Sequence, residues 1–505
     1  MASFVACVPP VSRSGLASPC FLWRLAWLLP GVVLALVSLP TEGADPSAAA
    51  GAPGESRPVA GVEEWFVHRL KGDAARWPGA DRLSAGEVAA AQARLWTNYR
   101  SAALQLGWDK EIAVPAACPQ LPPYEEIRKL PREQRPKLPK FEPTVLPCGT
   151  EKMPYLFFSR GDRPTNGWPL FIQTHGGGST GEKLAHPHAW EVNTRDWQNQ
   201  VGVCLFMFPE GLYFVPRMAN DNRGRWYYRH NHVAFDHIIR RAILFRDVDA
   251  NRVYMMGISE GAYGTESMTP FWADRFAGGV AMAGGAGGGE RLYNLRNTPF
   301  RNDTGAKDTM FDRIKLATQV HEFLAALKET DPAGYDHKLE IHPGGHAINY
   351  QPGPAWIATK VRNPRPDKVC WYNHAVDKQR RTDFSWLSVD QAPERDTLII
   401  AQADRGSNTV VVTAEITLPP AEGKPASKKT ATPAPPESRA PYSGATLTLH
   451  LDDGLVDLDK PVTVILNGRR AFHGVVERKP EYMADDIVRH GDPGRIFPAR
   501  LPVKL

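Results

Sequence analysis

The sequence lacks a strong net charge and shows no internal repeat. Lysine and arginine number 60 against 55 aspartates and glutamates, so the formal charge is only +5 over 505 residues. A surplus this small does not indicate a nucleic-acid or acidic partner. Hydrophobic residues make up 42% and charged residues 23% of the chain, which also excludes wholesale disorder. At roughly 150 residues per domain, the length predicts about three domains.

The N-terminus has the arrangement of an export signal. Arg13 and Arg24 precede a largely apolar stretch at 25–39, and small residues follow it. This stretch is shorter than the roughly 20 apolar residues of a membrane-spanning helix, although residues 21–23 could extend it into an uncleaved anchor. We therefore expect a signal peptide at 1–44, a secreted or periplasmic protein, and no stable membrane span after cleavage.

Cysteines are few, and cleavage near residue 44 would leave only four of the six. An exported protein is found in a compartment that permits disulfides. Cys118 and Cys148 both lie in proline-rich loop sequence, and we predict a bridge between them. Cys204 lies inside the apolar run at 203–208, which indicates a buried thiol.

Composition divides the rest of the chain into segments. Residues 45–60 contain almost nothing large and apolar, which predicts a disordered leader. Residues 61–150 are predicted to form an extension with one amphipathic helix, which begins at a capping box of Ser84 and Glu87, and a proline-rich strap. After residue 380, short alternating strands predict a small antiparallel β-sandwich-like domain at 381–505.

Within this last domain, residues 419–441 are rich in proline and have no large apolar side chain, which predicts a disordered insert. Between 151 and 380, short apolar runs alternate with helical stretches. That alternation predicts a doubly wound, mainly parallel sheet covered on both faces. The predicted strands are 153–159, 169–174, 201–208, 252–256, 278–282, 299–303 and 337–342, and the clearest predicted helices are 232–245, 263–269 and 310–330.

A Gly-Ile-Ser-Glu-Gly sequence at 257–261 follows one of these strands and precedes a helix. This context gives the G-x-S-x-G pattern its meaning, because a sharp turn there exposes the Ser259 hydroxyl above the sheet. Glycines at both ends let strand and helix approach closely. Upstream, strand 169–174 runs into a glycine loop, and backbone N–H groups of Gly176, Gly177 and Glu260 are the expected oxyanion hole.

A serine hydroxyl is a weak nucleophile, so it requires a histidine base and an acid that orients the base. Asp308 lies just beyond a predicted strand, and His346 lies just beyond the next. Asp303 and Asp312 are rivals for the acid, but the first lies within the strand and the second within the next helix. His342 is a rival for the base, although a histidine at the end of a strand is more often packed in the core. We predict Ser259, Asp308 and His346 as the catalytic residues.

With these features in order, the region from about 150 to 380 resembles the α/β-hydrolase family. It is similar, more narrowly, to secreted polyhydroxybutyrate-depolymerase-like esterases and prolyl-oligopeptidase-like hydrolases. The segments 249–254, 276–281 and 305–308 carry the resemblance most specifically. It implies an acyl-enzyme route through the triad. Two positions depart from the pattern: Glu260 is acidic where an uncharged residue is common, and Ala262 replaces a frequent glycine.

Other ligand chemistry has weaker support. His186 and His188, like the histidines at 230–237, lack further ligands at a standard zinc spacing. The aspartates at 452–459 lack the closing glutamate of a calcium loop. We expect no metal and no cofactor. For Glu260, we expect a side chain held by a nearby arginine or backbone N–H.

The leading hypothesis is an exported serine hydrolase that cleaves small-molecule or polymer carboxylic esters. A prolyl-oligopeptidase-like serine peptidase is the first alternative, because it would use the same residues. The second is a non-catalytic binding protein on a hydrolase scaffold, because a fold does not fix a function.

Overall fold

The computed structural model describes residues 59–118, 121–122, 124–136, 140–347, 352–418 and 438–505. The predicted signal peptide at 1–44 lies outside the described residues, as do the predicted leader up to residue 58 and the insert from 419 to 437. Those three interpretations stay predictions. Within the described residues, no helix combines the length and the apolar character needed to cross a membrane.

The largest sheet is mixed and mainly parallel. Its strands are β1 (Ala116–Ala117), β2 (Thr144–Cys148), β3 (Glu151–Arg160), β4 (Trp168–Thr174), β5 (Gly211–Pro216), β6 (Val248–Ile258), β7 (Gly278–Met282), β8 (Phe300–Gly305) and β9 (His337–His342). Their order is β1-β3-β5-β4-β6-β7-β8-β9. β2 also pairs with β3, on the edge where β1 pairs. Only β1 and β3 run against the others. β4 is buried from its second residue onward because both faces of the sheet are covered.

The helices are α1 (Val62–Leu70), α2 (Val88–Gln105), α3 (Tyr124–Ile127), α4 (Glu191–Met207), α5 (Arg229–Phe245), α6 (Glu260–Phe271), α7 (Arg313–Thr330), α8 (Pro352–Ile357) and α9 (Pro480–His490). The predicted capping box of Ser84 and Glu87 precedes α2, and the Ser84 amide donates to Glu87 at 2.8 Å. The predicted amphipathic helix is thereby confirmed. It packs with α1 and α9 around Trp65, Phe66 and Met483.

Successive residues of the strands enter two different cores, as the period of a β-strand requires. On one face, Met255 packs with α5 and α6. On the other, Tyr254 and Met256 pack with α4 and α8. On this second face the stacked rings of Phe158, Tyr213, Phe171 and Tyr254 cross four adjacent strands, with neighbouring centroids 4.9–5.5 Å apart. The expected sheet with two covered faces is confirmed.

One predicted strand is wrong. Residues 201–207 belong to α4, Phe208 follows its last turn, and the next strand in the chain is β5. Val201, Cys204 and Leu205 are buried at helical spacing, so the apolar run is one face of a helix. A short apolar run does not distinguish a buried strand from a buried helix. The prediction that Cys204 is buried is confirmed.

The predicted disulfide between Cys118 and Cys148 is also wrong, since both are free thiols. Cys148 is paired with Glu151 at the start of β3, whereas the Cys118 amide donates to Ser159 near its end at 3.1 Å. Eight residues of extended strand separate these two positions by roughly 25 Å. A disulfide needs Cα atoms within about 7 Å of each other.

The C-terminal strands are β10 (Lys368–Asn373), β11 (Asp383–Phe384), β12 (Leu387–Val389), β13 (Thr397–Asp404), β14 (Thr409–Thr417), β15 (Arg439–Pro441), β16 (Thr446–Leu451), β17 (Val462–Leu466), β18 (Arg469–Gly474) and β19 (Ala499–Lys504). They form one sheet in the order β10-β13-β14-β17-β18, with β15 on β14, and a second in the order β11-β12-β16-β19. Side chains of both sheets share one core.

Three details of this region differ from the expectation. β14 and β17 are parallel, so the first sheet is not wholly antiparallel. Arg439–Pro441, within the predicted insert, form β15 and pair with β14. β10 precedes the predicted boundary at 381 and nevertheless pairs with β13 along its whole length. Backbone pairing with a neighbouring strand fixes these residues, and local composition does not reveal such pairing.

Candidate active site

Ser259 lies at the sharp turn between β6 and α6. Its φ of 53° and ψ of −112° are unusual for a residue with a side chain, and its amide donates to the Met282 carbonyl at 2.8 Å. A Cβ on Gly257 would lie 2.3 Å from backbone atoms of Gly261, and one on Gly261 would lie 2.3 Å from the carbonyl oxygen of Thr174. The two glycines therefore allow the close contact of strand and helix that exposes the hydroxyl.

The three predicted catalytic side chains meet at this turn. His346 Nε2 lies 3.1 Å from Ser259 Oγ, and His346 Nδ1 lies 2.7 Å from Asp308 Oδ2. The Asp308 carboxylate is buried, whereas the imidazole is 40% exposed. The Asp308 carboxylate accepts a hydrogen bond from Nδ1–H and so holds the proton on that nitrogen. Nε2 is then free to accept the proton of the serine hydroxyl.

The rival residues Asp303, Asp312 and His342 have different surroundings. Asp303 accepts a hydrogen bond from Arg301 Nε at 2.6 Å, and burial raises the pKa of its carboxyl to about 6. Asp312 is exposed at the start of α7. His342 Nδ1 accepts the Gly344 amide at 3.1 Å. The structure thus brings together the residues that the sequence favoured and separates the alternatives.

Asp308 has a second partner, the cationic side chain of Arg313, which no sequence motif indicates. Arg313 Nη1 donates to Asp308 Oδ1 at 3.2 Å, and Arg313 Nε donates to the hydroxyl of Tyr263 at 3.2 Å. Both members of the ion pair are buried. The sequence indicates this pair only by an arginine five residues after the acid. It does not predict the turn that brings the two side chains together. Asp308 is therefore held from two sides.

The glycine loop after β4 lies directly beside Ser259. A Cβ on Gly176 would lie 3.3 Å from Ser259 Cβ, and Gly177 has a φ of +93°. The Gly178 amide already donates to Asn193 Oδ1 at 3.0 Å. Gly177 and Glu260 border the same cavity as Ser259, and the first amide of a helix has no carbonyl partner within the helix. The geometry is consistent with the expected oxyanion hole.

Asn193, on α4, anchors this loop, and no sequence motif indicates that role. Its side chain is fully buried, and its Nδ2 donates to Gly178 O at 2.8 Å and to Asp221 Oδ1 at 2.7 Å. Asp221 in turn accepts Arg217 Nη2 at 2.8 Å. Burial also lowers the pKa of His175 to about 3, so this histidine beside the loop stays neutral.

The side chain of Glu260 is held as expected. Its carboxylate forms an ion pair with Arg225 and is only 3% exposed. Burial is the largest effect on it and raises the pKa of Glu260 to about 7, although Arg225 acts in the opposite direction. The acidic residue next to Ser259 is therefore tied down by an arginine.

A cavity of about 680 Å³ opens beside Ser259. Its walls combine arginines, aromatic rings and small residues of the loop that follows β7. The residues that line it are Gly177, Ser179, Arg225, Tyr227, Ser259, Glu260, Tyr263, Ser267, Gly285, Ala286, Arg291, Phe311, Arg313, His374, Ala375, Val376 and Asp377. Among the described residues, no three His, Cys, Asp or Glu side chains are grouped so as to hold a metal ion.

The strand order and the serine turn define an α/β-hydrolase fold. The sheet has the early strand β3 antiparallel, β4 to β9 parallel, and the sharp turn with a serine after β6. The acid and the base follow the serine in chain order, at the carboxyl ends of β8 and β9. The resemblance stated for residues 150–380 is confirmed at the level of the fold.

Comparison with known proteins gives distant matches in structure alone. No family model and no curated protein matches the sequence. Solved structures similar to this chain include a thermostable esterase at 18% identity, which covers 43% of this chain and 59% of that one, with a TM-score of 0.29.

Two others have the same TM-score of 0.29. The carboxylesterase of Bacillus cereus is 15% identical over 41% of this chain and 92% of its own. An acylaminoacyl peptidase is 16% identical over 43% of this chain and 40% of its own. The chain therefore spans about three fifths of the thermostable esterase and less than half of the acylaminoacyl peptidase.

Proposed function

We propose that the chain is a serine hydrolase that cleaves carboxylic esters. One observation carries this proposal: a single imidazole contacts both a hydroxyl at a strained turn and a buried carboxylate, at 3.1 and 2.7 Å. A strained backbone at an exposed side chain is typical of a functional position. The neighbouring glycine loop and cavity supply room for a carbonyl group.

In the first half-reaction, Ser259 Oγ attacks the ester carbonyl while His346 Nε2 takes the hydroxyl proton. Asp308 stabilises the imidazolium that forms. The carbonyl oxygen becomes an oxyanion that accepts hydrogen bonds from the predicted donors, the amides of Gly176, Gly177 and Glu260. Collapse of this intermediate breaks the bond to the alkoxy group, which leaves as an alcohol with the proton from His346.

In the second half-reaction, water attacks the acyl-enzyme. His346 Nε2 takes a proton from the water, and the same amides stabilise the second oxyanion. Release of Ser259 Oγ, which takes the proton back from His346, gives the free acid. The imidazole, 40% exposed, is accessible to this water.

Export belongs to the same proposal and depends on the segment at 1–44. We infer that the mature protein acts in a secreted or periplasmic location on a small-molecule or polymer ester. N-terminal sequencing of the exported protein tests this: a start near residue 44 is expected, and retention of the segment would contradict it.

Hydrolysis of 4-nitrophenyl acetate, measured beside a panel of peptide amides, tests the chemistry. We expect ester cleavage, labelling of Ser259 by a fluorophosphonate, and loss of both in a folded Ser259→Ala variant. Ser438→Ala, at an exposed position that does not line the cavity, is the matched control and should stay active. Cleavage of amides without cleavage of esters would identify a peptidase. Full activity of Ser259→Ala would refute the assignment.

A further inference from the structure

Arg291 is the cavity residue whose surroundings the proposed reaction leaves unexplained. It lies at the start of a short 3₁₀-helix, Glu290–Asn297, after a glycine-rich loop. Its Nη2 donates to the carbonyl oxygens of Gly287 and Ala286, but its Nε is buried without any hydrogen-bond partner. Nε is buried too deeply for a ligand to reach, but Nη1 is not buried and has no hydrogen-bond partner among the described residues, so it is the donor that a ligand in the cavity can occupy.

The other cationic side chains of the cavity are already paired. Arg225 forms an ion pair with Glu260, and Arg313 forms one with Asp308. For Arg291, no carboxylate among the described residues lies within ion-pair distance of the guanidinium. Among the three arginines that line the cavity, Arg291 is therefore the one without an ion-pair partner in the described part of the chain, and it can bind an anion that enters.

Glu266 is the buried carboxylate that interacts electrostatically with Arg291, but its oxygens accept hydrogen bonds from other groups. Its Oε2 accepts the amides of Gly285 and Ala286 at 3.0 and 2.6 Å, and its Oε1 accepts Asn302 Nδ2 at 2.8 Å. Burial lowers the pKa of Arg291, and Glu266 only partly opposes that effect. An anion that enters the cavity would compensate the charge more fully.

The shape of the site indicates which anion fits. A guanidinium whose Nη2 is fixed by two backbone carbonyls presents Nη1 in a defined direction, and a charged N–H donor of this kind forms a strong hydrogen bond with a carboxylate. Tyr227, Tyr263 and Phe311 border the same cavity and offer apolar surface to a carbon chain or ring. A cavity of about 680 Å³ has room for such a group in addition to the ester.

We propose that Arg291 binds a carboxylate of the substrate, so that the preferred substrates are esters that carry a second, free carboxylate. This inference rests on the proposed ester hydrolysis and assigns Arg291 as its specificity-determining residue. Monoesters of dicarboxylic acids would present the carboxylate on the acyl side. Esters of hydroxybenzoic acids would present it on the leaving group.

Two matched pairs of esters test the inference. Mono-4-nitrophenyl adipate and 4-nitrophenyl hexanoate differ in a carboxylate on the acyl side. 3-Carboxyphenyl acetate and 3-methylphenyl acetate differ in one on the leaving group. In at least one pair we expect the charged ester to have a kcat/KM about tenfold higher or more. Arg291→Gln should remove this preference, chiefly through KM, and change kcat/KM of the neutral esters less than about threefold.

Arg76→Gln is the charge-matched control, because Arg76 is exposed and does not line the cavity. It should leave the preference intact. Arg291→Lys keeps the charge without the planar fork and should retain only part of the preference, which gives a second test if Arg291→Gln does not fold. Equal rates within both pairs for the wild type, or an unchanged preference in folded Arg291→Gln, would overturn the inference.

A binding measurement separates this inference from the proposed function. Calorimetric titration of Ser259→Ala with adipate and with 3-hydroxybenzoate requires no turnover. We expect one of them to bind, and the added Arg291→Gln substitution to weaken it at least about tenfold. If wild type hydrolyses no ester but this binding is found, the proposed function fails and the anion site stands. If wild type hydrolyses neutral esters and neither acid binds, the anion site fails alone.

Discussion

Replacement of Glu260 by glutamine tests the electrostatics of the turn next to Ser259. Burial raises the pKa of this carboxyl from 4.5 to about 7, against the opposing effect of Arg225. The folded protein therefore holds the proton more tightly than the unfolded chain does. Between pH 4.5 and 7 the folded state binds more protons, so stability is fully present below pH 4.5 and falls as the pH rises through 7.

The size of the effect follows from the two pKa values. A displacement from 4.5 to about 7 corresponds to roughly 3 kcal/mol once the carboxylate is fully ionised. Glutamine does not ionise and keeps an oxygen that can accept a hydrogen bond from Arg225. We therefore expect the free energy of unfolding of the wild type, relative to Glu260→Gln, to decrease by about 3 kcal/mol from pH 4.5 to 8.

Urea denaturation of both proteins at several pH values from 4.5 to 8 measures this difference. Other titrating groups contribute equally to both proteins and cancel. Glu182→Gln, at an exposed position, is the control and should follow the wild type at every pH. A difference that does not change with pH, or that changes in favour of the wild type as pH rises, would show that Arg225 outweighs burial.

Further predictions concern the glycine loop, the serine turn and the thiols. Asn193→Ala should lower kcat for 4-nitrophenyl acetate about tenfold to a hundredfold, because the loop loses its buried anchor; an unchanged kcat would show that the loop holds itself. Gly261→Ala should cost more than about 3 kcal/mol or prevent folding, since its Cβ would lie 2.3 Å from the Thr174 carbonyl oxygen, and thermal denaturation measures this. Alkylation of the unreduced, unfolded protein should modify Cys118 and Cys148; protection of both would contradict their separation along β3.

The four strands that position the site could be predicted, although they differ in how strongly their local pattern indicates a strand. β4 and β6 contain apolar runs between clear breaks, whereas β8 is buried but mostly polar and β9, at the edge of the sheet, is largely exposed. The carboxyl ends of all four carry the loop residues of the site. The sequence does not distinguish β5 from the run at 201–208 next to it, because both are equally apolar. β10 depends on a partner strand distant in sequence, which local patterns do not reveal.

The residues of the site also fall into those that local sequence patterns indicate and those that they do not. Ser259, Asp308 and His346 could be predicted because each follows a strand, so that one edge of the sheet gathers them. The side chains that hold or surround them could not. Asn193 and Arg291 come from elements that contact the site only through tertiary packing, and each is an ordinary polar residue in its own segment.

The pairing of β10 with β13 has a consequence for how this chain can be divided for expression. His374–Asp377, directly after β10, form one wall of the cavity beside Ser259. A truncation at residue 380 would retain this wall but remove the neighbour that covers Val369 and Trp371, which are almost completely buried. The shortened protein would present an open, apolar strand edge, which is a site for aggregation. Recombinant fragments intended to keep the cavity should therefore include the whole sandwich.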